Sequence, residues 1–246
     1  MKFVLNGCSY AANYYLVKHL VRNLGYNEFF DLAKGGRSNR QLIRTTLEYI
    51  EEQGADFVLL GLSFWDRFES PFIEPELGVD NWVNYRRQGT QSGYIPDGAV
   101  FLSDTDNHDI DRYIGTKYQY EVSMKCIDQQ MCDLVMFTAY LDSKNIKYLI
   151  YNACETNYGK YFDTVSPKYR TMIERNKRIV PLDKFISNLF LLEHGATWAE
   201  PENQWPPHAK HYDGEYYVHL NNYLLHYLTT NNLIWNTSAD TVIKNL

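Results

Sequence analysis

At 246 residues, with 45% hydrophobic and 22% charged side chains, the chain has an ordinary globular composition and enough length for a sizeable core. Its 24 basic and 30 acidic residues give a net charge of −6, which offers no basic footprint for nucleic acid. No apolar run approaches the about 18 residues of a membrane span, so the expectation is one domain over residues 1–246 that meets neither nucleic acid nor membrane.

The chain opens directly on an apolar strand, Phe3–Leu5, and the run after Lys2 is too short for a secretory signal. A cytoplasmic protein is expected, with a virion-associated one as the alternative. A helix is expected over Ala12–Leu24, stopped by Gly25, and a second strand over Phe29–Leu32. Ser38-Asn-Arg-Gln41 reads as a capping box, in which serine and glutamine satisfy each other's backbone N–H groups, opening an amphipathic helix to about Glu52. Asp56–Leu62 is a buried strand. Strands alternating with helices predict parallel strands with helical crossovers, and so a three-layer α/β/α fold around an open parallel sheet.

From Trp65 to Tyr118 the punctuation by Pro71, Pro75, Gly78, Gly89, Gly93, Pro96 and Gly98 predicts an irregular insertion over the site. A long helix over Tyr120–Asn145 and the strand Lys147–Asn152 follow. Thr156–Gly195 is less regular, with more helix expected around Phe185–Leu192. Trp198–Lys210 reads as a proline-rich loop, and Asp213 as the N-cap of a last helix over Tyr216–Leu228.

Three strand ends carry glycine followed by a hydroxyl: Gly7-Cys8-Ser9, Asp31-Leu-Ala-Lys-Gly-Gly36-Arg-Ser38 and Gly61-Leu62-Ser63. A serine at the carboxyl end of a central strand faces the crevice in which open α/β sheets bind ligands, and a following helix aims N–H groups at an anion. Ser9 is the candidate nucleophile. Cys8 is the alternative, since a thiol beside a helix N-terminus acquires thiolate character, but adjacent side chains of an extended segment point to opposite sides.

In this order the three segments, with a histidine before the terminal helix, resemble the SGNH (GDSL-like) hydrolases. The resemblance covers the first third and the last forty or so residues; the Gly-Cys-Ser opening is also similar to short phage-type sequences. It implies an SGNH-hydrolase/flavodoxin-like sheet and a serine esterase or deacylase acting on a small acyl ester, an O-acetyl group on a glycan being one candidate. Carried onto this sequence, it implies Ser9 as nucleophile, His211 as base, and an oxyanion site from the N–H groups of Ser9 and Gly36 with the Ser63 hydroxyl, where the family has an asparagine. His208 stands where the family's Asp-x-x-His has aspartate, so the His211 tautomer falls to a backbone carbonyl or to Glu200 or Glu202. Asp213 and His219 are supporting candidates.

Other readings stay open. His208, His211 and Asp213 have the donor chemistry of a zinc cluster, although the leading reading invokes neither metal nor cofactor. The acidic run Asp104–Asp111 lacks the glycine and terminal glutamate of a calcium loop. Cys8, Cys126, Cys132 and Cys154 form no CxxC pair and are expected to be reduced. Trp65, Trp82, Tyr85 and Tyr94 are candidates for stacking on sugar rings, and Arg67 for clamping an anionic substrate or pairing with Asp66 or Glu69. A non-catalytic ligand-binding module and a phage structural or assembly protein are the alternatives to an enzyme.

Overall fold

The computed structural model describes residues 1–8, 11, 20–34, 37–63, 65, 67–71, 82–87, 101–103, 124–153, 166–182 and 214–233. Four parallel strands, β1 (Lys2–Gly7), β2 (Glu28–Asp31), β3 (Phe57–Leu62) and β7 (Lys147–Asn152), form one sheet in the order β2-β1-β3-β7. Beyond β7, Ile179 makes a single parallel bridge to Ile150.

Both faces of this sheet are covered, which is why its strands read as continuous apolar runs and not as alternating ones. Phe3, Leu5, Phe57, Leu59, Leu149 and Tyr151 pack against Leu20, Val21 and Leu24 and against Leu220, Leu224 and Leu228 of the terminal helix Gly214–Thr230. Val4, Val58, Leu60, Tyr148 and Ile150 face the other way. They meet helix α1 (Asn39–Gln53) through Leu42, Ile43 and Ile50, helix α2 (Met124–Ser143) through Met131, Leu134 and Phe137, and helix α3 (Pro167–Arg175) through Ile173. The terminal helix is α4. The expected three-layer α/β/α architecture is present.

Helix ends are set by local chemistry. Ser38 has extended backbone and its Oγ accepts the Gln41 N–H at 3.2 Å, so the predicted cap of α1 forms. Gly25, Asn145 and Asn232 adopt positive φ, and the residue after each donates its N–H back five positions, to Val21, Leu141 and Leu228. This is the left-handed helix stop that glycine and asparagine tolerate best. It returns the chain toward β2 after Gly25 and toward β7 after Asn145.

Most of the insertion expected over 65–118 lies outside the described residues, and the part that is described contains short strands. Strands β4 (Arg67–Pro71), β5 (Trp82–Arg87) and β6 (Phe101–Ser103) form an antiparallel sheet in the order β4-β5-β6. Pro75 and Gly78 fall between β4 and β5, and Gly89, Gly93, Pro96 and Gly98 between β5 and β6, so the punctuation separates strands. Pro71 ends β4, an outer strand of this sheet among the described residues, the setting in which sheets tolerate proline. Among the described residues, no helix is long and apolar enough to cross a membrane.

Tyr26 packs its ring against Phe3 and Phe57 at the amino end of the sheet. Burial, with a smaller contribution from the Asp56 carboxylate, pushes its phenol up to about 12. An unfolded tyrosine ionises near 10. Between these values the folded state keeps a proton that the unfolded state has lost, so this contribution is intact below pH 10 and is lost as pH rises toward 12. Urea denaturation at pH 9, 10 and 11 should show a stability decline that is shallower in Tyr26→Phe than in the wild type.

Candidate active site at the carboxyl ends of the central strands

The chain crosses from β2 on one side of β1 to β3 on the other, so strand order reverses between β1 and β3. In doubly wound sheets this reversal opens a crevice beyond the carboxyl ends of the two strands. Here those ends are Gly7 and Gly61, paired in register. Both must be glycine. A Cβ on Gly7 would lie 2.3 Å from the Ala11 Cβ and 3.0 Å from the Gly61 carbonyl, and a Cβ on Gly61 would lie 2.8 Å from Ala11 Cβ and 3.0 Å from the Tyr151 hydroxyl. The chain turns back so tightly after β1 that Ala11 lies over both strand ends, and its N–H donates to the Cys8 carbonyl at 2.9 Å.

Neighbouring strand ends are stitched to this point by backbone bonds. After β2, Leu32 N–H donates to the Leu5 carbonyl at 2.8 Å and Lys34 N–H to the Gly7 carbonyl at 3.0 Å. After β7, Ala153 N–H donates to the Leu62 carbonyl at 3.0 Å. The loop after β2 is pinned again by Arg37, whose Nη1 donates to the Leu32 carbonyl at 2.7 Å and to Asn6 Oδ1 at 3.3 Å.

Asn6 is a polar residue inside an otherwise apolar buried strand and is satisfied by α1. Its Nδ2 reaches the Leu42 carbonyl at 3.0 Å and the Thr45 and Thr46 hydroxyls at 2.9 Å, while its Oδ1 accepts the Gly7 N–H at 2.9 Å. A buried amide with these partners fixes β1 against α1, because leaving its groups unmet costs about 1–3 kcal/mol each.

A second buried amide holds the end of β3. Asn39 Oδ1 accepts the Ser63 N–H at 2.6 Å, and Asn39 Nδ2 donates to the Ser63 carbonyl at 3.3 Å and to Gln130 Oε1 at 3.2 Å. Gln130 Nε2 in turn donates to the Trp65 carbonyl at 2.9 Å. Asn39 is 1% exposed, Gln130 5% and Ser63 0%. Asn39 belongs to no site motif in the sequence, yet it carries a burial signal: Asn39, Leu42, Ile43, Thr46 and Ile50 are the buried face of α1 at spacings of three and four, so the stripe runs back to Asn39.

Of the residues singled out from sequence, Ser63 lies just past the end of β3, fully buried, with its peptide N–H taken by Asn39. Cys8 is fully buried among the apolar side chains of the terminal-helix face. That corrects the thiol alternative, since a fully buried thiol offers no surface for a substrate to reach. Trp65 is 1% exposed and packs with the cluster around α1 and α2, so it presents no ring face for a sugar and is a core residue. Among the described residues, Cys8 and Cys132 form no disulfide. Ser9, Gly36, Glu200, Glu202, His208, His211, Asp213, Tyr94 and the acidic run 104–111 lie outside the described residues. Arg67 belongs to β4, Trp82 and Tyr85 to β5, and His219 to α4, but their side chains lie outside them too.

Among solved structures, the chain is similar to TesA, at 12% identity over 93% of this chain and 98% of that one with a TM-score of 0.49. It is similar to the psychrotrophic esterase EstA from Pseudoalteromonas sp., at 10% identity over 93% and 97% with a TM-score of 0.47. A GDSL-like lipase from Bacteroides thetaiotaomicron follows at 11% identity over 94% and 88%, with a TM-score of 0.41. No protein-family model and no curated protein matches the chain. The chain has an open parallel α/β fold. Its strand order and two covered faces establish this independently of those neighbours.

Proposed function

We propose that the protein is a serine acyl hydrolase that cleaves a small acyl ester, with Ser9 as nucleophile and His211 as general base. The observation that carries this reading is the reversal of strand order between β1 and β3. It puts Gly7-Cys8, Lys34 and Ser63 around one rim, and Ser9 is the next residue of the chain after Cys8.

In the proposed reaction, Ser9 Oγ adds to the ester carbonyl carbon as His211 takes its proton. The tetrahedral oxyanion is held by the N–H groups of Ser9 and Gly36 and the Ser63 hydroxyl. Collapse breaks the bond to the alkoxy oxygen, which leaves with the proton from His211. Water then adds to the acyl-enzyme by the same route, releasing the acid. These steps need proton transfer and no redox change, so no cofactor enters. The alcohol side is proposed to be a sugar hydroxyl carrying an O-acetyl group.

The test is hydrolysis of acetyl and butyryl p-nitrophenyl esters and of O-acetylated xylan across pH 5–9. The base must be neutral, so the rate should rise with pH through an apparent pKa near the ordinary histidine value of about 6.5. His211→Ala should remove that titration and most of the rate. His208→Asp would face the imidazole with a carboxylate, holding its tautomer and stabilising its charged form; rate and apparent pKa should both rise. A rate indifferent to His211→Ala contradicts the assignment of the base.

A further inference from the structure

We propose that Asn39 is a positioning residue for the acyl-transfer site, fixing the Ser63 peptide at the end of β3 against the loop that joins β2 to α1. The proposal rests on the acyl-hydrolase reading and adds a residue that touches no reacting atom. Asn39 pairs with both backbone polar groups of one residue, taking the Ser63 N–H at 2.6 Å and giving to the Ser63 carbonyl at 3.3 Å. The side-chain amide thus continues the ladder of β3 past Leu62, where the strand has ended.

Two further contacts make this a clamp and not an isolated bond. Gln130 of α2 accepts from Asn39 Nδ2 at 3.2 Å and donates to the Trp65 carbonyl at 2.9 Å, so the chain on either side of residue 64 is held from α1 and α2 together. On its other side Asn39 directly follows the Ser38 cap, and Arg37 is bonded back to the Leu32 carbonyl. Displacing Ser63 relative to the loop after β2 therefore requires breaking buried bonds. A fixed spacing between these two segments is what an oxyanion site with one donor on each demands.

Only a neutral amide fits. Asn39→Asp keeps the shape and the acceptor for Ser63 N–H, but a carboxylate has no hydrogen for the Ser63 carbonyl and Gln130 Oε1, and its protonated form has one where the amide has two. The experiment compares Asn39→Asp and Gln130→Ala with the wild type, measuring the thermal midpoint, and kcat and KM for p-nitrophenyl acetate well below every midpoint. Asn176→Ala serves as a destabilised control; Asn176 bonds the Tyr148 hydroxyl near the opposite end of the sheet.

The expected result is a kcat reduced by about 10²-fold in Asn39→Asp, the scale of an ångström-sized misplacement of catalytic groups. KM should change little, Gln130→Ala should show a smaller loss in kcat, and Asn176→Ala a wild-type kcat. An active wild type whose folded Asn39→Asp and Gln130→Ala variants keep kcat overturns the inference alone, as does a loss equal to that of Asn176→Ala. A wild type that hydrolyses no ester overturns the acyl-hydrolase reading and this inference with it.

Discussion

Replacing Ser9 with alanine is expected to lower kcat/KM for short acyl esters by roughly 10⁴-fold or more while leaving the fold intact, the scale seen when a nucleophile is removed from a serine hydrolase. The alanine lacks the oxygen that forms the acyl-enzyme, and the remaining oxyanion donors polarise the carbonyl without supplying a bond to it. Residual hydrolysis should then be insensitive to His211→Ala, because the base has no serine proton left to take. The urea midpoint of Ser9→Ala should lie close to that of the wild type. Nearly full activity in the folded variant would place the nucleophile elsewhere.

The second large effect is steric. Gly7→Ala would set a methyl carbon 2.3 Å from the Ala11 Cβ and 3.0 Å from the Gly61 carbonyl, well inside contact distance. Overpacking of this kind costs about 1–3 kcal/mol, and for a chain of this size each kcal/mol lowers the thermal midpoint by about 2–4 °C. Relief requires Ala11 to withdraw, which disturbs the turn closed by the Ala11 N–H and the Cys8 carbonyl, inside which Ser9 falls in sequence. Stability and kcat should therefore fall together. Ala11→Gly removes the nearer clash, so Gly7→Ala combined with Ala11→Gly should be more stable than the sum of the single effects. Strict additivity in that double-mutant cycle would mean that the Ala11 methyl is not what excludes a side chain at residue 7.

The parallel sheet was legible because both its faces are covered: Phe3–Leu5, Asp56–Leu62 and Lys147–Asn152 read as short apolar runs with turn signals at their ends. Helix α1 was legible from Ser38 and its apolar stripe. The antiparallel sheet from Arg67 to Ser103 was not, because its short strands are separated by proline- and glycine-containing connections longer than the strands themselves, and the pairing that makes them strands is non-local. Trp65 misled for a related reason. An aromatic beside a strand end suits a sugar platform and a core equally, and only the packing of α1 and α2 decides between them. Asn6 and Asn39 are polar residues in apolar patterns and give no site signal of their own. Each is buried because its partners come from another element, thirty or more residues away along the chain for Asn6 and twenty-four for Asn39 to Ser63, a pairing that no local pattern encodes.

The most direct measurement is to react the protein with a radiolabelled p-nitrophenyl alkylphosphonate, follow ester hydrolysis during the reaction, and locate the adduct by peptide mass mapping. The account predicts one phosphonyl group per chain, on Ser9, appearing in step with the loss of hydrolysis and absent from Ser9→Ala. An adduct on Cys8 or on another serine, or complete loss of hydrolysis with Ser9 unmodified, would contradict it.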